Sequence, residues 1–141
     1  MGNLDYTQVL NKIENTRRFG NEPGVVVTAQ VIKVLREKGK QKRIIPYIHV
    51  AGTNGKGSVC AFFSSILKKE HMRVGTFVSP HLVDFEERIT VDGRMIPKED
   101  VTRLGHYLLD IDFGLGLTMF DYCLAMALLY SEAQQCDYMV T

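Results

Sequence analysis

Apolar residues recur along this chain with two different periods, and the switches between them mark its elements. Over residues 4–13, LDYTQVLNKI, the side chains of Leu4, Val9, Leu10 and Ile13 fall mostly on one stripe, which predicts a helix. FGNEPG at 19–24 breaks the pattern. Residues 25–35 are apolar at Val27, Val31, Ile32 and Leu35, again at helical spacing despite many β-branched residues, and Gly39 ends that helix. Residues 44–51, IIPYIHVA, are a short β-branched run, read as a buried strand that ends at Gly52, with Pro46 tolerable near its start. From Lys56 onward, Val59, Phe62, Phe63, Ile66 and Leu67 return every three or four positions, predicting a helix to about residue 70. MRVGTFVS at 72–79 reads as a second strand. Strand, glycine-rich turn, helix and strand make one βαβ unit, whose strands should be parallel.

The remainder is less regular. ERITVDGRMI at 87–96 places Asp92-Gly93 between two alternating runs, a hairpin signal. Pro97 suits a first helical residue, and a helix to about Asp110 follows. FGLGL interrupts the chain, and Thr118 then caps a strongly apolar helix from Met119 to about Ala133. CDYMVT at 136–141 begins a third strand, and there the sequence stops. A buried strand is normally followed by elements that complete its sheet, so a fragment of a larger enzyme is the expectation.

Composition narrows the classes. With 141 residues, 45% of them hydrophobic, there is enough for one domain with a core and too little for two. Seventeen basic against 16 acidic residues leave a net charge of +1, so charge argues for neither a nucleic-acid nor a membrane partner. The densest basic run, REKGKQKR at 36–43, reads as a solvated helix exit. Cys60, Cys123 and Cys136 are odd in number and far apart, with no C-x-x-C pair. That suggests neither a zinc knuckle nor a disulfide framework, but reduced thiols in a cytoplasmic protein. The N-terminus has no apolar signal core, and Tyr6 stands where myristoylation needs Ser or Thr. No apolar run approaches the roughly 18 residues of a membrane span.

The stretch HVAGTNGKGSV at 49–59 carries the chemistry. The common phosphate loop is G-x-x-x-x-G-K-[ST], but Val50 occupies the place of its first glycine. The glycine is instead Gly52, and Gly57 separates Lys56 from Ser58, giving the shortened variant G-T-N-G-K-G-S: Gly52, Thr53, Asn54, Gly55, Lys56, Gly57, Ser58. Its glycines let main chain approach phosphate, and the amides opening the following helix form an anion site. Lys56 can set a charge on the outer phosphates, and the Ser58 hydroxyl can face a magnesium ion, which prefers oxygen ligands. Glycine-rich turns alone are weak signals; following a strand and opening an amphipathic helix is the context that strengthens this one.

With GTFVSPHL, FEERI, DGRMI and LTMFDY added to that loop, the chain resembles the folylpolyglutamate synthases, often bifunctional as dihydrofolate synthases, of the Mur ligase superfamily. The resemblance runs over nearly the whole length. It implies an α/β fold, a P-loop-containing three-layer αβα domain with a mainly parallel sheet, here truncated. Residues 1–141 would be the N-terminal portion of the central ATP-binding domain. It also implies the reaction. ATP phosphorylates a carboxylate of folate or dihydropteroate, and the amine of L-glutamate attacks the acyl phosphate. Cofactors would be ATP and Mg2+, with residues 52–58 holding the phosphates and Lys56 acting as the catalytic charge. Ser58 and Ser79 would be magnesium ligands. His81, in the SPHL loop, and Arg88 would border the folate site, although an ion pair from Arg88 to Glu86 or Glu87 is an equal reading. Thr118, Phe120 and Asp121 resemble a T-x-F-E segment lining the pterin side. Asp121 keeps the charge of the usual glutamate and loses one methylene of reach, and Phe120 is either an aromatic wall or core.

The resemblance also implies parts not found here: a glutamate metal ligand after the last strand, a histidine ligand, a modified lysine and a C-terminal domain. The 141-residue chain alone is therefore expected to be inactive. Two other readings stay open. A cell-wall Mur ligase usually carries an additional N-terminal domain, whereas this loop begins only about fifty residues in. A non-catalytic nucleotide-binding module is the third. Self-association through the open edge of the truncated sheet, suggested by the abrupt apolar C-terminus, is a further expectation.

Overall fold

Residues 2–16, 22–52 and 54–141 are described by the structure, a computed structural model. Contacts divide the chain into two units, Met1–Lys42 with Pro97–Leu129, and Arg43–Ile96 with Tyr130–Thr141.

The first unit is helical. Helix α1, Tyr6–Glu14, starts where Asp5 forms a capping box: the Gln8 amide donates to its carboxylate at 2.8 Å, and the Gln8 side chain accepts from the Asp5 amide at 2.9 Å. That box moves the start two residues past the predicted one. Most of the break read at 19–24 lies outside the described residues; helix α2, Gly24–Glu37, follows Pro23 directly. Helix α4, Lys98–Leu109, begins after Pro97, and helix α5, Met119–Ala133, after Thr118. Val9 and Ile13 of α1 are fully buried, as are Val101 and Leu108 of α4. The two helices meet at Gly105, where a Cβ would stand 2.3 Å from Val9 Cγ1 and 3.3 Å from Ile13 Cδ1. Glycine is there because the neighbouring helix comes this close.

The second unit is a five-stranded sheet with one helix on it. Its strands are β1 (Tyr47–Ile48), β2 (Val74–Phe77), β3 (Ile89–Val91), β4 (Arg94–Met95) and β5 (Tyr138–Val140), ordered β1-β5-β2-β3-β4. β1, β5 and β2 are mutually parallel, and β3 and β4 add an antiparallel extension. The βαβ strands are parallel as expected, but β5 lies between them. Asp92 and Gly93, at φ 50° and 80°, turn β3 into β4, as a two-residue hairpin loop of left-handed residues does. Helix α3, Lys56–Lys69, packs on β2 and β5, with Cys60 buried against Val74 and Val140 and the Ser64 hydroxyl 3.2 Å from that of Thr76.

One expectation is corrected here. The first strand is not buried: Ile44 is 69% and Tyr47 67% exposed, because β1 is the sheet's edge and only two residues of it pair. The apolar stripe of α3 does not face the sheet. Phe62 and Ile66 point outward, 71% and 57% exposed, while Cys60, Ser64 and Leu67 take the inner face.

Where β2 passes the end of α5, Gly75 leaves room for Ser131 and Cys136. Burial pushes the Cys136 thiol up to about 11, with the Ser131 hydroxyl pulling the other way. All three cysteines are buried, and none of them is in a disulfide.

Two outcomes follow. Replacing Gly105 by Ala gains about 1 kcal/mol of helix propensity but overpacks a stiff β-branched neighbour, typically costing about 1–3 kcal/mol. G105A should therefore lower the urea midpoint, and V9A/G105A should recover more than the two single changes sum to. Because the Cys136 pKa is raised in the fold, its stabilising share is intact below the ordinary value of 9.0 and is lost as pH climbs towards about 11. Unfolding free energy should decline over that interval, and C136A should flatten the decline.

Candidate nucleotide-phosphate site

The phosphate-loop sequence lies between the end of β1 and the start of α3. Its strand side is tied down: the Val50 amide donates to the Thr141 carbonyl at 2.7 Å, and the Thr141 amide to the Ile48 carbonyl at 3.0 Å. Its helix side turns sharply. Gly55 is the N-cap of α3 with φ 77°, a left-handed angle that a side chain would strain, and Gly52 sits at φ 153°.

Gly55 supplies no side-chain cap, and the first turn of α3 holds no acidic residue. The Val59 amide is the first to bond back into the helix, to the Gly55 carbonyl at 3.0 Å. The amides of Lys56, Gly57 and Ser58 therefore precede the helix ladder, at the positive end of a 14-residue helix dipole. Gly52, Asn54, Gly55, Lys56, Gly57 and Ser58 are all exposed, and Thr53 lies outside the described residues. The loop is thus folded around the start of α3, not stretched out, and its amides and the Lys56 ammonium are open to an anion.

A groove of about 350 Å³ runs along the flank of α3, lined among others by Cys60, Ser64, Lys68, Thr76 and Asp92. It touches the loop only at Gly57, and Lys68 is turned to the Asp92 carbonyl at 3.4 Å. The open amides lie at the loop, apart from this groove.

Ser79, His81 and Arg88 belong to the segment after β2. Ser79 precedes Pro80 through a cis bond. A 3₁₀ turn, Phe85–Arg88, carries the arginine. Arg88 is engaged within its own loop: its Nε–H donates to His81 Nδ1 at 2.8 Å, and its guanidinium lies 5.9 Å from the Phe85 ring. Glu87 does something the sequence reading did not assign. Its carboxylate accepts from the amides of Leu82, Val83 and Asp84, at 3.0–3.3 Å. Those bonds, from Val83 and Asp84 foremost, hold its pKa below the usual carboxylate value. The signal was present as D-F-E-E, in which Asp84 and Glu87 stand at capping-box spacing and form that box.

In the other unit, Thr118 and Asp121 close a reciprocal cap. Asp121 Oδ2 accepts from the Thr118 amide at 2.8 Å and hydroxyl at 2.7 Å, and the Asp121 amide donates to Thr118 Oγ1 at 3.3 Å. Asp121 is buried, so its charge serves the start of α5, while Phe120 is 51% exposed and so not core. Among the described residues, no group of three His, Cys, Asp or Glu could hold a metal ion. No helix of the described residues is long and apolar enough to cross a membrane.

No family model matches the chain. It is 34% identical over 143 residues to the dihydrofolate synthase/folylpolyglutamate synthase of Bacillus subtilis, covering 96% of this chain and 32% of that protein. The solved folylpolyglutamate synthase of Thermotoga maritima superposes with a TM-score of 0.77 at 31% identity, over 96% of this chain and 32% of that one. A solved complex of a folylpolyglutamate synthase with AMPPCP and folate superposes with a TM-score of 0.76 at 28% identity, over 98% and 35%. The chain spans a third or less of the length of the curated relatives it matches. By sequence and by fold along nearly its whole length, the chain belongs with the folylpolyglutamate and dihydrofolate synthases.

Proposed function

We propose that this region binds the polyphosphate of ATP in a ligase that joins L-glutamate to folate, or to dihydropteroate, through an acyl phosphate. The observation that carries the reading is the start of α3: a left-handed Gly55, no side-chain cap, no acidic residue in the first turn, and Lys56 as its first residue. Three open amides and one ammonium are a donor set for a polyphosphate. The AMPPCP and folate of the structural relative agree with that reading.

Bound ATP would supply the phosphoryl group that activates the acid. The chain's own part is to hold two anions side by side, which is unfavourable unless fixed cations and aimed dipoles offset their repulsion. Lys56 places its charge on the transferring end. Ser58 and Ser79 offer hydroxyl oxygens, the donor type magnesium accepts. Three buried cysteines, none in a disulfide, favour a cytoplasmic setting. Because the chain spans a third or less of its relatives, we expect it to be inactive by itself.

The exposed Ile44 and Tyr47 beside the edge strand β1 favour association of two copies through that edge. A single monomeric species by sedimentation at high concentration would remove that second reading.

The test of function is ADP release by a polypeptide that carries this region at the relatives' full length. Release should require both a pteroate-type acid and L-glutamate, and K56M should lower it by about 10²–10³-fold. Release that instead requires a nucleotide-linked sugar acid would make this a cell-wall ligase. Nucleotide binding with no acid-dependent release would leave a binding module.

A further inference from the structure

Arg88 is buried, and its Nε–H donates to the Nδ1 of His81 at 2.8 Å. Arginine carries donors and no acceptor. Nδ1 must therefore accept through its lone pair, and a proton on that nitrogen would set N–H against N–H. That places the ring's proton on Nε2. Nothing in the described residues bonds to Nε2, so the ring presents an unspent donor.

The surroundings fix the direction of that donor. Phe85 meets the His81 ring edge-on, with centroids 6.0 Å apart at 65°, and the Arg88 guanidinium lies over the same phenyl ring. Glu87 holds the amides of Leu82, Val83 and Asp84, so the backbone beside His81 is stapled. Next to the ring, Leu82 and Val83 are 92% and 82% exposed. A stapled loop that shows two bare aliphatic side chains beside one oriented N–H suits a flat ligand with an apolar face and an acceptor on its edge.

We propose that Arg88 is a positioning residue that fixes His81 as the Nε2–H tautomer, and that this N–H donates to a carbonyl or ring-nitrogen acceptor of a heteroaromatic acid. The ligand half rests on the ligase reading above; the tautomer half does not. Arg88 need not touch the ligand. It sets which nitrogen is the donor, as a hydrogen bond to one ring nitrogen does for the other.

The experiment is two-bond ¹H–¹⁵N correlation of the histidine rings in the 141-residue chain, for wild type, R88K and R88M, with folate as the probe. Wild type should show a protonated Nε2 and a bare Nδ1. R88K, which retains a donor, should keep that pattern, and R88M should lose it with the amide spectrum otherwise preserved. Folate should move His81 Nε2 to saturation in wild type and not in R88M. A wild-type ring protonated on Nδ1 or mixed between tautomers overturns the proposal, as does an unchanged pattern in R88M. Folate shifting loop amides while Nε2 stays still overturns the donor role. Folate shifting nothing anywhere counts against the ligase reading and takes the ligand half with it, while the ring pattern judges the tautomer half separately.

Discussion

A helix whose N-cap has no side chain leaves its first amides without an acceptor, and the rest of this site follows from how α3 manages that. Most helix starts are closed by Ser, Thr, Asp or Asn. Three elsewhere in the chain are closed in that way, by Asp5, Asp84 and Thr118, each with a reciprocal bond. At α3 the cap is a left-handed glycine and no acid stands in the first turn. With glycine as the cap, leaving that terminus open costs only about a few tenths of a kcal/mol of local stability. An oxyanion is the natural partner to close it, and the strand side of the loop is pinned to the chain's last residue so that the opening keeps its shape.

The same economy of polar groups organises the second segment. Glu87, Arg88 and His81 each have one bond set, and each set removes a freedom from the loop after β2: the backbone of 82–84, the ring of residue 81. Preorganisation of this kind lowers what binding must spend on ordering. The Thr118–Asp121 cap shows the opposite use of similar residues. A threonine and an acid three positions apart are fully engaged by the start of α5, and the charge that resembles a ligand contact is turned inward.

Much of this was legible in the sequence. Periodicity placed α2, α4 and α5 within a few residues, Asp92-Gly93 gave the hairpin, and the glycine spacing gave the loop and the helix that follows. What failed has a common physical cause. The stripe Val59, Phe62, Phe63 and Ile66 marks a face that seeks cover, but periodicity carries no information about whether this chain supplies it. The run at 44–51 has strand composition, but pairing on one side only leaves Ile44 and Tyr47 exposed. Arg88 was weighed against carboxylates because charge is visible in a sequence. Its bond to an imidazole seven residues away depends on a loop closing on itself, which no local pattern specifies.

The central claim is that the open amides at the start of α3 are a polyphosphate site. Its most direct measurement is an amide ¹H–¹⁵N titration of the chain with magnesium-AMPPCP at millimolar concentration. The account predicts that the largest, saturable shifts fall on the amides of Gly55, Lys56, Gly57 and Ser58. Shifts confined to the groove around Ser64, Lys68 and Asp92, or none at all, would contradict it.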